Sequence, residues 1–151
     1  MSAAPLWGGA VLIADPSAWA RAGHPNVREP WRAALRAGRI ATCSIATLEL
    51  LRVPRDLDEL LATEAGLAQL RDIPVSASVQ RAAIGALRDL AELGPLHHRV
   101  PIPDLLIAAA AQDAGLGVLH YDHHYDRLAE VLSFDSRWLA PPGTLDAPVH
   151  A

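Results

Sequence analysis

The sequence predicts a single α/β domain with a central, mostly parallel β-sheet flanked by α-helices. Short apolar runs of the kind that form buried strands alternate along the chain with longer segments of helical periodicity. The length of 151 residues suits one domain, and an apolar fraction of 51% is too high for a disordered chain. Alternating strands and helices fold into a parallel sheet that is covered on both faces.

The first third of the chain shows this alternation clearly. The apolar run from Val11 to Ala14 has the pattern of a buried strand, and Asp15 follows it directly. Helical segments are expected from Ala18 to Arg21 and from Val27 to Ala37, and Gly38 is a stop signal for the second. A second strand is expected from Ile40 to Ser44.

The middle of the chain is predicted to be helical. A helix begins at Ser44, whose hydroxyl is expected to cap its first residues, and Glu49 lies about one turn into it. Further helices are expected from Leu57 to Leu70 and from Ser78 to Leu93. We expect these two to be packing elements.

The last third carries two more acids at the ends of predicted elements. Asp104 can cap the Ala-rich helix from Leu105 to Ala114 or lie in its first turn. A strand is expected from Val118 to Tyr121, and Asp122 directly follows it. A short helix from Tyr125 to Leu132 and an edge strand at Trp138 and Leu139 complete the pattern.

The predicted domain occupies residues 11–140, between an N-terminal extension over residues 1–10 and a flexible, Pro- and Gly-rich tail over residues 141–151. No apolar stretch approaches the roughly 20 residues needed to span a bilayer. The start of the chain lacks the basic flank of a signal peptide, and Cys43 has no partner for a disulfide. We therefore expect a cytoplasmic protein that does not enter a membrane.

Four acids are predicted to meet at one edge of the sheet, because ligands of parallel α/β sheets bind beyond the carboxyl ends of the strands. Asp15 and Asp122 follow strands, whereas Glu49 and Asp104 lie in or near the first turns of helices. Carboxylates held together raise one another's pKa unless a cation is present. Hard divalent ions such as Mg²⁺ and Mn²⁺ prefer such oxygen ligands.

The charged residues exclude some classes of function. The net charge of −4 means that a nucleic acid would have to be bound locally rather than by the field of the whole chain. All 13 basic residues are Arg. The absence of Lys weighs against phosphotransfer receiver domains and haloacid-dehalogenase-like phosphatases, which also place acids at the ends of parallel strands.

Four segments resemble the VapC-type toxins of the PIN-domain ribonuclease family, and together they extend over nearly the whole chain. They are LIADPSAWAR from Leu12 to Arg21, TLELLR from Thr47 to Arg52, IPDLLIAA from Ile102 to Ala109, and HYDHHYDRLA from His120 to Ala129. The resemblance implies a PIN-like domain and an Mg²⁺- or Mn²⁺-dependent endoribonuclease. It also implies a homodimer that is inhibited by a cognate, VapB-like antitoxin.

The resemblance also assigns site residues. It gives Asp15, Glu49, Asp104 and Asp122 as the catalytic acids, with Asp15, Asp104 and Asp122 as metal ligands. Ser17 stands where the family commonly has a hydroxyl residue that supports the metal site. Two departures are Pro16, in place of the usual Thr, Ser or Asn, and His124, in place of an Asp found in some relatives. Asp126 is the next acid along and an alternative fourth ligand, and Arg21 and Arg52 are candidates for contacts with RNA phosphate.

Simpler interpretations stand beside these. Asp15 and Asp104 can each be an ordinary helix cap. His120, His123 and His124 raise the question of zinc, but no further Cys or spaced His completes a tetrahedral set, so solvated turn residues are the expectation. A different class of function is a catalytically weak PIN-like binding module that acts through its antitoxin in a regulatory complex.

Overall fold

The computed structural model describes residues 6–146 and consists of five strands and seven helices over that range. The strands are β1 Leu12–Ala14, β2 Ile40–Cys43, β3 Arg71–Ile73, β4 Gly117–His120 and β5 Asp135–Trp138. The helices are α1 Pro16–Trp19, α2 Arg28–Arg36, α3 Ser44–Leu50, α4 Leu57–Leu67, α5 Ala77–Leu93, α6 Ile102–Ala114 and α7 His124–Leu128. No helix within residues 6–146 has the length and apolarity needed to cross a membrane.

The five strands form one sheet in the order β3-β2-β1-β4-β5, and every neighbouring pair is parallel. Strand β1 is central, with Leu12 paired to Ile40 of β2 on one side and to Gly117 of β4 on the other. All residues of β1, β2 and β4 are buried. The predicted α/β fold with a parallel sheet is therefore confirmed.

The sheet is covered on both faces because successive residues of a strand point to opposite sides. Ile13 of β1 packs in a core with the apolar side of α6, whereas its neighbours Leu12 and Ala14 pack in a second core with Trp31 of α2. Both faces of β1 are buried, so its faces are not available to a ligand. In parallel sheets of this kind, ligands bind beyond the carboxyl ends of the strands.

Several predicted boundaries differ from the structure. Strand β3 was not expected, because Arg71 and Asp72 are charged and exposed and only Ile73 is buried. Strand β5 begins earlier than the predicted edge strand, with alternating exposure that suits an edge. The predicted serine cap of α3 is wrong: Ser44 is the first helical residue, Cys43 precedes it, and no side chain caps the helix.

Both ends of the described chain pack against the domain. Trp7 is buried in the second core, and its indole N–H donates a 3.1 Å hydrogen bond to the carbonyl of Leu139. Leu145 is buried as well, and its backbone N–H donates to the hydroxyl of Tyr121 over 3.0 Å. Trp7 of the predicted extension and Leu145 of the predicted tail therefore pack against the core, and residues 1–5 and 147–151 lie outside the described range.

Candidate metal centre

The four predicted acids stand on elements that end or begin at the carboxyl edge of the three central strands. Asp15 follows β1 and is the N-cap of α1. Glu49 lies in α3, which starts directly after β2, and Asp122 follows β4. Asp104 is in the first turn of α6, so the second of its two predicted placements is correct.

Asp15 is held in one orientation by two hydrogen bonds. The side chain is buried, and one carboxylate oxygen, Oδ2, accepts from the backbone N–H of Ser17 over 2.8 Å. The other, Oδ1, accepts from the hydroxyl of Tyr125 over 2.6 Å. Each oxygen keeps a lone pair for another partner, because a carboxylate oxygen accepts two bonds. Asp15 is therefore a helix cap whose two carboxylate oxygens are held in a fixed position and can each accept a further partner.

Ser17 ties this turn to the neighbouring strand. Its hydroxyl oxygen accepts a 2.9 Å hydrogen bond from the backbone N–H of Tyr121, the residue that follows β4. The bond joins the loop carrying Asp15 to the loop carrying Asp122. Ser17 thus has a positioning contact at the site.

Asp104 shows most directly that the acids converge. Burial raises its pKa to about 7, the charges of Asp15, Asp122 and Glu49 contribute in the same direction, and His124 opposes them. Burial also raises the pKa of Glu49, and the charge of Asp15 raises it further. Folding therefore brings the carboxyl groups of Asp15, Glu49 and Asp122 close enough to Asp104 to oppose its ionisation.

His124 lies between two of these acids. Its backbone N–H donates to Asp122 Oδ1 over 3.0 Å, which closes a turn before α7. Its ring atom Nδ1 is 2.8 Å from the same oxygen and 3.3 Å from Asp104 Oδ2. The sequence alone did not reveal this contact, because only the resemblance marked position 124.

His120 is not a solvated turn residue, and that expectation is wrong. It is the last residue of β4 and is fully buried, and burial lowers its pKa to about 4, so the ring is neutral at physiological pH. Nδ1 accepts from the backbone N–H of Asp122 over 3.3 Å, and Nε2 faces the hydroxyl of Ser136 at 2.8 Å. The ring stacks on Tyr125, with centroids 4.6 Å apart. His120 therefore supports the groups that orient Asp15 and Asp122.

Three other candidates have different surroundings. Asp126 is exposed, and one of its carboxylate oxygens accepts from the indole N–H of Trp138 over 3.1 Å. Arg21 donates to the carbonyl of Ser17, and its guanidinium lies 4.5 Å from the ring centre of Tyr121. Arg52 is exposed, and its charge partly offsets the factors that raise the pKa of Glu49.

The donor set fits a divalent cation. Asp104 Oδ2 is buried, and apart from its 3.3 Å approach to His124 Nδ1 it has no hydrogen-bond partner among the described residues, which is costly for a buried oxygen. Asp122, His123 and His124 also place ligand atoms within 4.8 Å of one another. Several carboxylates around such an orphaned oxygen supply what a hard cation requires.

The sequence and the structure both place the chain among known proteins. Residues 15–131 match the PIN domain family. Ribonuclease VapC18 of Mycobacterium tuberculosis is 41% identical over 136 residues, which cover 89% of this chain and 99% of the relative. Ribonuclease VapC51 of the same organism is 36% identical over 134 residues, which cover 89% and 96% of the two chains.

A solved structure gives the same assignment. The crystal structure of VapBC-5 from Mycobacterium tuberculosis, a member of the VapBC family of toxin–antitoxin systems, superposes with a TM-score of 0.63 and 27% identity. The match covers 85% of this chain and 98% of that one. The chain belongs to the PIN-domain family and, within it, to the VapC-type ribonucleases.

Proposed function

We propose that the protein is a metal-dependent endoribonuclease and the toxin of a VapBC-like toxin–antitoxin system. The observation that carries this proposal is the convergence of four carboxyl groups, with the pKa of buried Asp104 raised to about 7. Relatives that match almost the whole chain are named ribonucleases, and a structural neighbour belongs to a VapBC toxin–antitoxin system. RNA is therefore the proposed substrate.

Asp15, Asp104 and Asp122 are the proposed ligands of Mg²⁺ or Mn²⁺. Such an ion, when bound, lowers the pKa of a coordinated water and neutralises charge on the transferring phosphate. Glu49 is half-buried, and its raised pKa suits a group that orients water or accepts its proton. Ser17 and Tyr125 keep the carboxylate of Asp15 in place throughout.

Asp122 is the better candidate for the fourth acid. It belongs to the group of charges that raises the pKa of Asp104, and Asp126 does not. The carboxylate of Asp126 is engaged by Trp138. For RNA phosphate, exposed Arg52 is better placed than Arg21, whose guanidinium already contacts Ser17 and Tyr121.

The antitoxin is proposed to occupy a groove of about 1250 Å³ beside the acidic site. Pro16 and Ser17 line its end near Asp15, and most of the remaining lining is apolar, including Trp19 and Val53. Val53 is 77% exposed and belongs to this contiguous apolar lining, and contiguous exposed apolar surface marks interaction sites. A bound apolar segment here would lie next to the catalytic acids.

A homodimer in the cytoplasm completes the proposal. Large apolar side chains are exposed on α5 and at the start of α6, among them Ile84, Leu93 and Ile102, and such a surface suits a self-association interface. Light scattering of the purified protein at micromolar concentration checks this point, because a monomer would contradict it. The single buried, free Cys43 fits a reducing compartment.

Expression in a bacterial host tests the function as a whole. We expect the wild-type protein to arrest growth and Asp104→Asn to remove the arrest. Asp89→Asn, an exposed charge change on α5, is the matched control and should arrest growth like the wild type. Equal toxicity of Asp104→Asn and wild type, at equal protein levels, would instead favour the catalytically weak binding module.

A further inference from the structure

Two neighbouring histidines, His123 and His124, bring nitrogen atoms to a site whose other donors are carboxylates, and His124 is the less exposed of the two. Its Nδ1 lies 2.8 Å from Asp122 Oδ1 and 3.3 Å from Asp104 Oδ2. Both Nδ1 of His124 and Oδ2 of Asp104 are buried, and neither makes a hydrogen bond of acceptable geometry with any described residue. Apart from these two approaches, which are ion pairs when the ring is protonated, the two atoms have no polar partner among the described residues.

The chemistry of imidazole distinguishes between the ions that this site can take. Mg²⁺ and Mn²⁺ both favour oxygen, but Mg²⁺ gives up its waters reluctantly and demands near-ideal octahedral geometry, whereas the affinity of a nitrogen-containing site rises along the first-row series that begins with Mn²⁺. Nδ1 of His124 lies within 3.3 Å of a carboxylate oxygen of both Asp104 and Asp122, so the ring stands between the two acids. The ring is also restrained, since its backbone N–H is bonded to Asp122.

We propose that His124 is a direct ligand of the metal, together with Asp104 and Asp122, and that it makes the site prefer a first-row transition ion such as Mn²⁺ to Mg²⁺. The inference rests on the proposed metal-dependent function and specifies which ion that function uses. It assigns to His124 a coordinating role in place of the solvated one that the sequence predicts.

Pulsed electron paramagnetic resonance of bound Mn²⁺ tests the coordination without any reaction. A directly coordinated imidazole gives ¹⁴N modulation of the Mn²⁺ spin echo, and an all-oxygen site gives none. We expect this modulation in the wild-type protein and in His98→Ala, the matched control at an exposed histidine outside this cluster. His123→Ala is measured as well, because His123 is the other nitrogen donor in the cluster. It should be absent from His124→Asp, which supplies oxygen instead.

Titration calorimetry with Mn²⁺ and with Mg²⁺ measures the preference itself. We expect His124→Asp to lower the ratio of Mn²⁺ to Mg²⁺ affinity by about tenfold or more, since even indirect support of a ligand changes metal affinity by about 10- to 100-fold. His124→Gln serves if His124→Asp does not fold.

The outcomes separate the two proposals. Wild-type protein that binds Mn²⁺ without ¹⁴N modulation, or modulation lost only in His123→Ala, would overturn the role of His124 and leave the nuclease proposal intact. Wild-type protein that binds neither ion, and cuts no RNA with either, would overturn the proposed function as well.

Discussion

The raised pKa of Asp104 makes the free energy of unfolding depend on pH, so the electrostatics of the site can be measured at this residue. Burial, together with the charges of Asp15 and Asp122, raises its pKa from 3.8 to about 7. The folded state therefore holds this proton more tightly than the unfolded chain does. Its contribution to stability is fully present below about pH 4, declines as the pH rises, and is lost once the pH exceeds about 7.

The magnitude follows from the size of the shift. A difference of about three pH units corresponds to a ceiling of about 4 kcal/mol when Asp104 is fully ionised and no metal is bound. Asn has nearly the same shape and no charge. We therefore expect metal-free Asp104→Asn to be more stable than the wild type by about 2–4 kcal/mol near pH 8, and the gap to close towards pH 4.

Urea unfolding in the presence of a chelator, followed across this pH range, measures the gap. Asp89→Asn on the exposed face of α5 is the control and should match the wild type at every pH. Saturating Mn²⁺ should narrow or reverse the gap, because an ion that binds only the folded wild-type site stabilises it. Equal stability of Asp104→Asn and wild type near pH 8, or a gap that does not change with pH, would refute the reasoning.

Four further substitutions give distinct results. Tyr125→Phe removes the 2.6 Å hydrogen bond to Asp15, so urea unfolding should show a loss of about 1–3 kcal/mol and RNA cleavage should fall by about tenfold. Gly117→Ala would place a Cβ 2.5 Å from a backbone oxygen of β5 and should cost about 1–3 kcal/mol, whereas Gly85→Ala, with open space around it, should stabilise by about 1 kcal/mol. Val53→Asp should weaken antitoxin binding by about tenfold in calorimetry while leaving RNA cleavage by the free toxin unchanged.

The three central strands could be predicted because each is a short apolar run that is buried on both faces. Strand β3 could not, since Arg71 and Asp72 carry no apolar signal and only pairing with β2 makes them a strand. Strand β5 is likewise defined by its neighbour β4, not by its own composition. Edge strands depend on pairing that a local pattern does not contain.

Some features of the site could likewise be predicted from the sequence, and others could not. That Asp15 and Asp122 end strands is a local property, so the sequence predicted where both would lie. The hydrogen bond from Tyr125 to Asp15 joins residues 110 positions apart, and no local sequence pattern predicts it. His120 sits at the end of an apolar run, which was a usable sign of burial, but its role depends on Ser136 and Tyr125 from other elements.

Metal-dependent cleavage of RNA by the purified, antitoxin-free protein tests the central claim most directly. Total bacterial RNA would be incubated with and without Mg²⁺ or Mn²⁺, using wild type, Asp15→Asn, Asp104→Asn and the Asp89→Asn control, and the new ends would be mapped by sequencing. We predict discrete, metal-dependent cuts with the wild type and the control, and none with the two site variants. The same cuts from all four proteins, or cuts that persist without metal, would contradict the assignment of these acids as a catalytic metal site.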